Sequence, residues 1–133
     1  MSGYIYPARS GPTFECHGAR IAIKASGQDT HGQLAVMEST YPAGLSVSEH
    51  FHDGEDEMFF LLEGRLQVWC DGKEWTAEPG SFVFVPRNRP HSFTVTGDSP
   101  ARALVVLGPP NLDRQIAKSG IPVVEQESPA RFR

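Results

Sequence analysis

The sequence of 133 residues predicts an all-β sandwich or barrel. Short apolar runs of strand length recur between clusters of turn residues, and the chain holds 13 Gly and 11 Pro. The pair Asp71-Gly72 separates two alternating runs, and both central residues of a type I′ hairpin turn need positive φ. Among all the segments, only residues 109–120 read as a helix.

Taken in order, residues 1–18 mix Pro, Gly, Ser and aromatics without a period and read as an extended arm. Residues 20–24 alternate briefly and read as a short strand, followed by the polar turn 25–32. Residues 33–41 read as a strand, with Leu34, Val36 and Glu38 on one face and Ala35, Met37 and Ser39 on the other. Pro42-Ala43-Gly44 ends it. After the turn Asp53-Gly54-Glu55-Asp56, residues 58–62 return as a strand. The Asp71-Gly72 turn sets a register that pairs Cys70 with Lys73, Val68 with Trp75 and Leu66 with Ala77. Leu66, Val68, Cys70, Trp75 and Ala77 then form a core face. Gln67, Trp69, Glu74, Thr76 and Glu78 form a mostly wet one, on which Trp69 needs a cover.

Residues 58–62 and 82–85 are apolar on both faces, which calls for a cover outside the barrel. A second subunit or the N-terminal arm fits, and on this ground a homodimer is expected. Residues 103–107 form a late strand. The helix opens at Pro109-Pro110-Asn111 with Asn111 as its cap, carries Leu112 and Ile116 one turn apart, and stops at Gly120. The tail from residue 121 has no period and is expected to be partly disordered. The length is that of one domain, 1–133, with an arm (1–31), a barrel core (about 32–108) and a helix with tail (109–133).

Composition narrows the function classes. A formal charge of −4 and a pI near 5.7 argue against a nucleic-acid surface. The absence of a basic run argues against a polybasic membrane anchor. The longest apolar runs, five residues each, are far too short to span a bilayer. The N-terminus lacks a charged region followed by an apolar one, so no signal peptide is expected and the reading is cytoplasmic. Cys16 and Cys70 form no pattern and read as free thiols.

The chemistry gathers between Gly44 and Gly64. His50 and His52 stand two apart, so that on an extended strand both imidazoles point to one face. The turn after them brings Glu57 back beside them, and His91 supplies a third imidazole from downstream. Three imidazoles and a carboxylate form a mixed N/O set suited to one divalent first-row metal ion, with Fe, Mn, Ni, Co, Cu and Zn all compatible. Such a set in an octahedral sphere leaves about two positions open, which favours catalysis over a closed structural site. Glu55 and Asp56 read as solvated loop acids, each an alternative ligand. Arg87, Arg89, His17 and His31 read as solvated, with the two arginines an alternative anion site at the mouth.

The two stretches resemble the two motifs of the cupin superfamily, G-x5-H-x-H-x4-E-x6-G and G-x5-P-x-G-x2-H. The first is met at Gly44, His50, His52, Glu57 and Gly64; the second at Gly80, Pro86 and His91. Asn88 stands where the family has Gly, a mild departure because Asn tolerates a left-handed conformation. The Asn that often follows the last His by four is here Val95. The resemblance covers about residues 32–108. It implies a double-stranded β-helix, the cupin jelly-roll barrel, and points to a homodimer.

Phe59 and Leu61 continue the face of Glu57, and Phe93 and Val95 that of His91. Together they suggest an apolar pocket for a small aromatic or apolar substrate, although each alone reads as barrel filling. The pattern from His50 to Phe59, with the stretch 82–93, is most similar to small bacterial quercetin 2,3-dioxygenase-type proteins. That resemblance implies a metal held by His50, His52, His91 and Glu57, with Glu57 also accepting the proton of an enolic hydroxyl. The enolate then reacts with O2 and a carbon–carbon bond breaks. The same site serves a second class, an isomerase, cyclase or lyase acting on an enolisable metabolite in natural-product biosynthesis. A binding module without chemistry is a third reading.

Overall fold

The computed structural model describes residues 2–123 and 130–131. Its strands are β1 (Tyr4–Ile5), β2 (Thr13–Cys16), β3 (Ala19–Ala25), β4 (Ala35–Tyr41), β5 (Ser46–His50), β6 (Asp56–Glu63) and β7 (Arg65–Cys70). There follow β8 (Lys73–Ala77), β9 (Phe82–Val85), β10 (His91–Thr96), β11 (Ala101–Gly108), the helix α1 (Leu112–Ser119), β12 (Ile121–Pro122) and β13 (Ala130–Arg131). A seven-stranded sheet runs β12-β2-β3-β4-β11-β6-β9, and a four-stranded sheet runs β5-β10-β7-β8. Every pairing is antiparallel. Strands β1 and β13 form a separate pair.

Alternation drives the packing. On β11, Ala101, Ala103, Val105 and Leu107 are buried while the residues between them are half-buried. The same period buries Ala35, Met37 and Ser39 on β4, one of the two faces the alternation separates. On β6 it buries Glu57, Phe59 and Leu61, and on β10 His91, Phe93 and Val95. These side chains meet those of Leu66, Val68 and Cys70 in one core between the two sheets. The result is an all-β jelly roll of two facing antiparallel sheets with, among the described residues, one short helix.

The Asp71-Gly72 turn has φ of 53° and 80°, and the register it fixes is the expected one, from Leu66 opposite Ala77 to Cys70 opposite Lys73. Gly64, the last residue of the first motif, has φ +84°, and a Cβ there would stand 2.5 Å from the Pro100 carbonyl oxygen. Only glycine fits this close approach.

Several expectations need correction. The extended arm is not separate from the barrel, because β2 joins the seven-stranded sheet through Thr13↔Ala22 to Cys16↔Ala19. Trp75 faces the core side but stays 49% exposed, since β8 is the edge of its sheet and no strand among the described residues pairs beyond it. Trp69 is 37% exposed. Asn111 occupies the N-cap of α1 without a capping bond from its side chain. Gly120 ends the helix with an extended φ of −72°, and glycine is needed there because a Cβ would lie 2.7 Å from the Ile116 carbonyl oxygen. Residues 121–123 are tied to β2 rather than loose, with Val123 N–H donating to Thr13 O at 2.9 Å. The rest of the tail expected to be disordered, 124–129 and 132–133, lies outside the described residues.

Candidate metal centre

His50 ends β5 and His91 begins β10, and the two stand directly opposite in the ladder. A bulge shifts the register between His91 and Phe93, and it lies beside the imidazoles. The His50 and His91 rings sit 4.2 Å apart between centroids. Glu57 projects inward near the start of β6, from the other sheet. His52, expected on one strand with His50, lies instead on the loop after β5, which ends at His50. One ligand atom from each of His50, His52, Glu57 and His91 comes within 4.8 Å of every other, so the four residues singled out in the sequence form one cluster able to hold a metal ion.

The loop that carries His52 is fixed from the second motif. Asn88 adopts φ +64°, donates its backbone N–H to the His52 carbonyl at 2.9 Å, and accepts from Gly54 N–H on its side-chain oxygen at 3.2 Å. Glycine at this position would give the turn but not the second bond. Asp56 is bound by Arg87 through the backbone N–H at 2.9 Å and through Nε and Nη2 at 3.1 Å each. Arg87 is therefore committed to a partner rather than free to draw an anion. Arg89 lies 3.6 Å from Asp71. His17 and His31 occupy positive-φ turns away from the cluster.

Each imidazole has its Nδ1 engaged on the side away from the cluster: His50 with Ser48 O at 2.8 Å, His91 with Arg89 O at 3.0 Å, and His52 with Glu55 Oε1 at 2.9 Å. Two backbone carbonyls and a carboxylate all accept, so all three rings carry hydrogen on Nδ1 and turn Nε2 inward. Inside, His52 Nε2 lies 3.0 Å and His91 Nε2 3.4 Å from Glu57 Oε2. Those approaches are close but not aligned as hydrogen bonds, and His52 Nε2, His91 Nε2 and Glu57 Oε2 are buried without a partner. Buried polar atoms are costly when unpaired. Converging lone pairs of this kind fit a divalent cation, which would satisfy all of them.

The charges of the cluster reflect this crowding. His52 is pushed up to about 9, by its bond to Glu55 first and by Glu57 next, against its burial. Burial acts to raise Glu57, but His52 and His91 beside it outweigh that and bring it to about 2. His50 is lowered, chiefly by burial, with the His91 and His52 rings adding to it. Without an ion, His52 is the ring that most readily takes a second proton, on Nε2 beside the Glu57 anion; an ion bound at the centre would take that proton's place.

The structure adds two residues that sequence reasoning missed. Glu55 is not a solvated loop acid: it is 3% exposed, and its second oxygen accepts from the backbone N–H groups of Asn111 and Leu112 at 2.5 and 3.0 Å. Tyr41 lies on the inward face of β4, its ring 5.0 Å from Phe93 and edge-on to it. Burial pushes its phenol above the ordinary value, with Glu57 adding to the rise. The alternation Ala35, Met37, Ser39 extended by one step points to Tyr41, so that signal was present. Phe59, Leu61, Phe93 and Val95 all turn into the barrel and are buried there, with Phe59 and Phe93 6.3 Å apart. A wider cavity of about 770 Å³ opens on the outer face of the seven-stranded sheet, beside Arg20, Glu38 and Arg102. It shares no residue with the imidazole cluster, whose unpaired atoms make it the better seat for chemistry.

Known proteins with similar sequences and folds bear on this geometry. The chain is 39% identical over 71 residues to a quercetin 2,3-dioxygenase of Bacillus subtilis, a match covering 53% of this chain and 21% of that protein. It is 36% identical over 80 residues to the tetracenomycin polyketide synthase protein TcmJ of Streptomyces glaucescens, covering 60% of this chain and 52% of the relative. The chain thus spans well under two thirds of either. The solved structure of KdgF from Halomonas sp. superposes with a TM-score of 0.73 over 86% of this chain and 99% of that one; at 15% identity this likeness concerns the fold alone. The family model of the cupin domain matches residues 37–107, the stretch that carries both ligand motifs and most of the barrel, and on that match the chain belongs to the cupin family.

Proposed function

We propose that the chain is a metal-dependent enzyme acting on an enolisable, apolar or aromatic small molecule, with His50, His52, His91 and Glu57 as ligands. The observation that carries this reading is the set of inward Nε2 and carboxylate atoms left buried without partners. A divalent ion bound there would act as a Lewis acid that stabilises an enolate. Glu57 accepts the enolic proton, being an ionised carboxylate at the base of the cluster. Phe59, Leu61, Phe93 and Val95 form the apolar wall beneath the substrate and keep water from it.

The first reaction class is dioxygenation of the quercetinase type, supported by the likeness to the Bacillus subtilis quercetin 2,3-dioxygenase. The second is oxygen-independent cyclisation or isomerisation in polyketide biosynthesis. It is supported by the likeness to TcmJ and to the polyketide synthase protein CurC of Streptomyces cyaneus, the latter 31% identical over 97 residues. Oxygen uptake separates the two. The protein is loaded in turn with each divalent metal and offered flavonols and enolic diketones. Uptake that needs both metal and substrate establishes dioxygenation and names the metal; product formation without uptake establishes the second class. A well-metallated protein that converts none of these compounds sinks the enzymatic reading.

The proposal includes a cytoplasmic homodimer. Phe60, Phe82 and Phe84 stand on the outer face of β6 and β9, where Phe60 opposes Phe82 and Met58 opposes Phe84. They remain 43%, 62% and 50% exposed in the single chain. At roughly 200 Å² per Phe, they leave on the order of 300 Å² of aromatic surface in water, a size of patch that marks interaction sites.

A further inference from the structure

Glu55 belongs to neither cupin motif position, yet its carboxylate joins parts of the chain that are 56 residues apart. Oε1 accepts from His52 Nδ1, and Oε2 accepts from the backbone N–H groups of Asn111, the N-cap, and Leu112, the first residue of α1. Asn111 offers no side-chain cap to the helix, so Glu55 is the acceptor that satisfies these N-terminal donors. In the neutral ring it is also the acceptor that keeps hydrogen on Nδ1 of His52 and leaves Nε2 bare toward Glu57 and His91. We propose that Glu55 is the positioning residue of the centre, tying His52 to the first turn of α1 so that metal occupancy and docking of α1 reinforce each other. The proposal rests on the metal reading above. Its consequence is reciprocal: whatever loosens α1 weakens metal binding, and metal binding holds α1 in place.

A carboxylate is the only common side-chain group that can serve both ends. Both ends donate, and a carboxylate accepts on both oxygens. In Glu55→Gln the size is kept but one side must fail. With the amide oxygen toward the two helix donors, the NH2 faces His52 Nδ1 and selects the tautomer with hydrogen on Nε2, where the metal must bind. With the amide turned round, its NH2 faces two backbone donors. Two donors opposed cost more than one, so the first orientation prevails.

The test compares wild type and Glu55→Gln by zinc affinity from chelator competition, by His52 nitrogen chemical shifts in metal-free protein at alkaline pH, where the ring is neutral, and by amide hydrogen exchange at residues 111–119 with and without zinc. The expected result is zinc binding about 10- to 100-fold weaker in the variant, with all four ligands intact. His52 shifts to the Nε2–H tautomer, and zinc no longer slows exchange in α1. A variant whose zinc affinity and His52 tautomer match wild type overturns the proposal. Should the variant not fold, the wild type alone decides. Zinc slows exchange at the Asn111 and Leu112 amides more than at the remote strand β8 if the coupling exists, and equally at both if it does not. Failure of wild type to bind zinc at all refutes the metal reading instead, and the tautomer in metal-free protein then judges Glu55 on its own.

Discussion

Glu57 carries two duties in the proposed reaction, and they separate by substitution. Gln in its place keeps an oxygen for the ion but cannot accept a proton. Glu57→Gln is expected to retain much of its metal, read by elemental analysis, while turnover falls about 10²- to 10⁴-fold. Unchanged turnover would remove Glu57 as the base. His52 gives a second prediction, in pH. Its pKa of about 9 in the metal-free chain means that it is protonated at neutral pH and must lose that proton before Nε2 can bind an ion. Calorimetry at pH 7.5 in buffers of different ionisation enthalpy should therefore show about one proton released per zinc bound. Affinity should climb roughly tenfold per pH unit toward pH 9 and then level off; a pH-independent affinity would contradict the pairing with Glu55 and Glu57. Without metal the sign reverses. A pKa raised from 6.5 means that the His52 pairing contributes stability fully present below pH 6.5 and lost as pH rises through about 9.

At the scale of elements, the two glycines that bound the first motif differ in a measurable way. Gly44 and Gly64 share nearly the same positive φ, 80° and 84°, but a Cβ meets nothing within 4 Å at Gly44 and backbone at 2.5 Å at Gly64. Gly44→Ala should cost about 1–2 kcal/mol of left-handed strain. Gly64→Ala adds a clash that moves β11 against β6, for a total of roughly 3 kcal/mol or more in urea denaturation. Equal losses would mean that the strand junction gives way freely. The same contrast shows what the sequence could reveal. Periodicity of two and the Asp71-Gly72 turn are local signals: they separate the two faces of β4, turn Phe93 and Val95 to the side of His91 on β10, and set the register of β7 with β8. The grouping of His50, His52 and Glu57 was legible because their spacing is local, although His52 reaches the cluster from the loop after β5 and not from the strand. The ordered β2 was not legible, since its place depends on pairing with β3 and β12 rather than on its own pattern. Trp75 was misplaced because alternation gives a face and not a neighbour. Glu55 was misplaced because its partners, Asn111 and Leu112, are remote in the chain.

For the molecule as a whole, the uncovered Phe60, Phe82 and Phe84 predict association. Sedimentation at micromolar concentration should give a dimer, and Phe84→Glu, which puts a charge on the patch without touching the core, should give a folded monomer. A wild-type monomer would leave the outer face of β6 and β9 without its proposed role. A last consequence lies in where the four ligands reside. His50 and His91 belong to the four-stranded sheet and Glu57 to the seven-stranded one, so a filled centre is a reversible clasp closing one half of the jelly roll on the other. A ligand that binds only the folded chain at a hundred times its dissociation constant adds about 2.7 kcal/mol. For a domain of this size that corresponds to a melting temperature higher by roughly 10 °C. Scanning calorimetry across a metal titration should trace that rise, and a flat profile would mean that the clasp does not close. The melting temperature of this chain is then a gauge of the free metal around it.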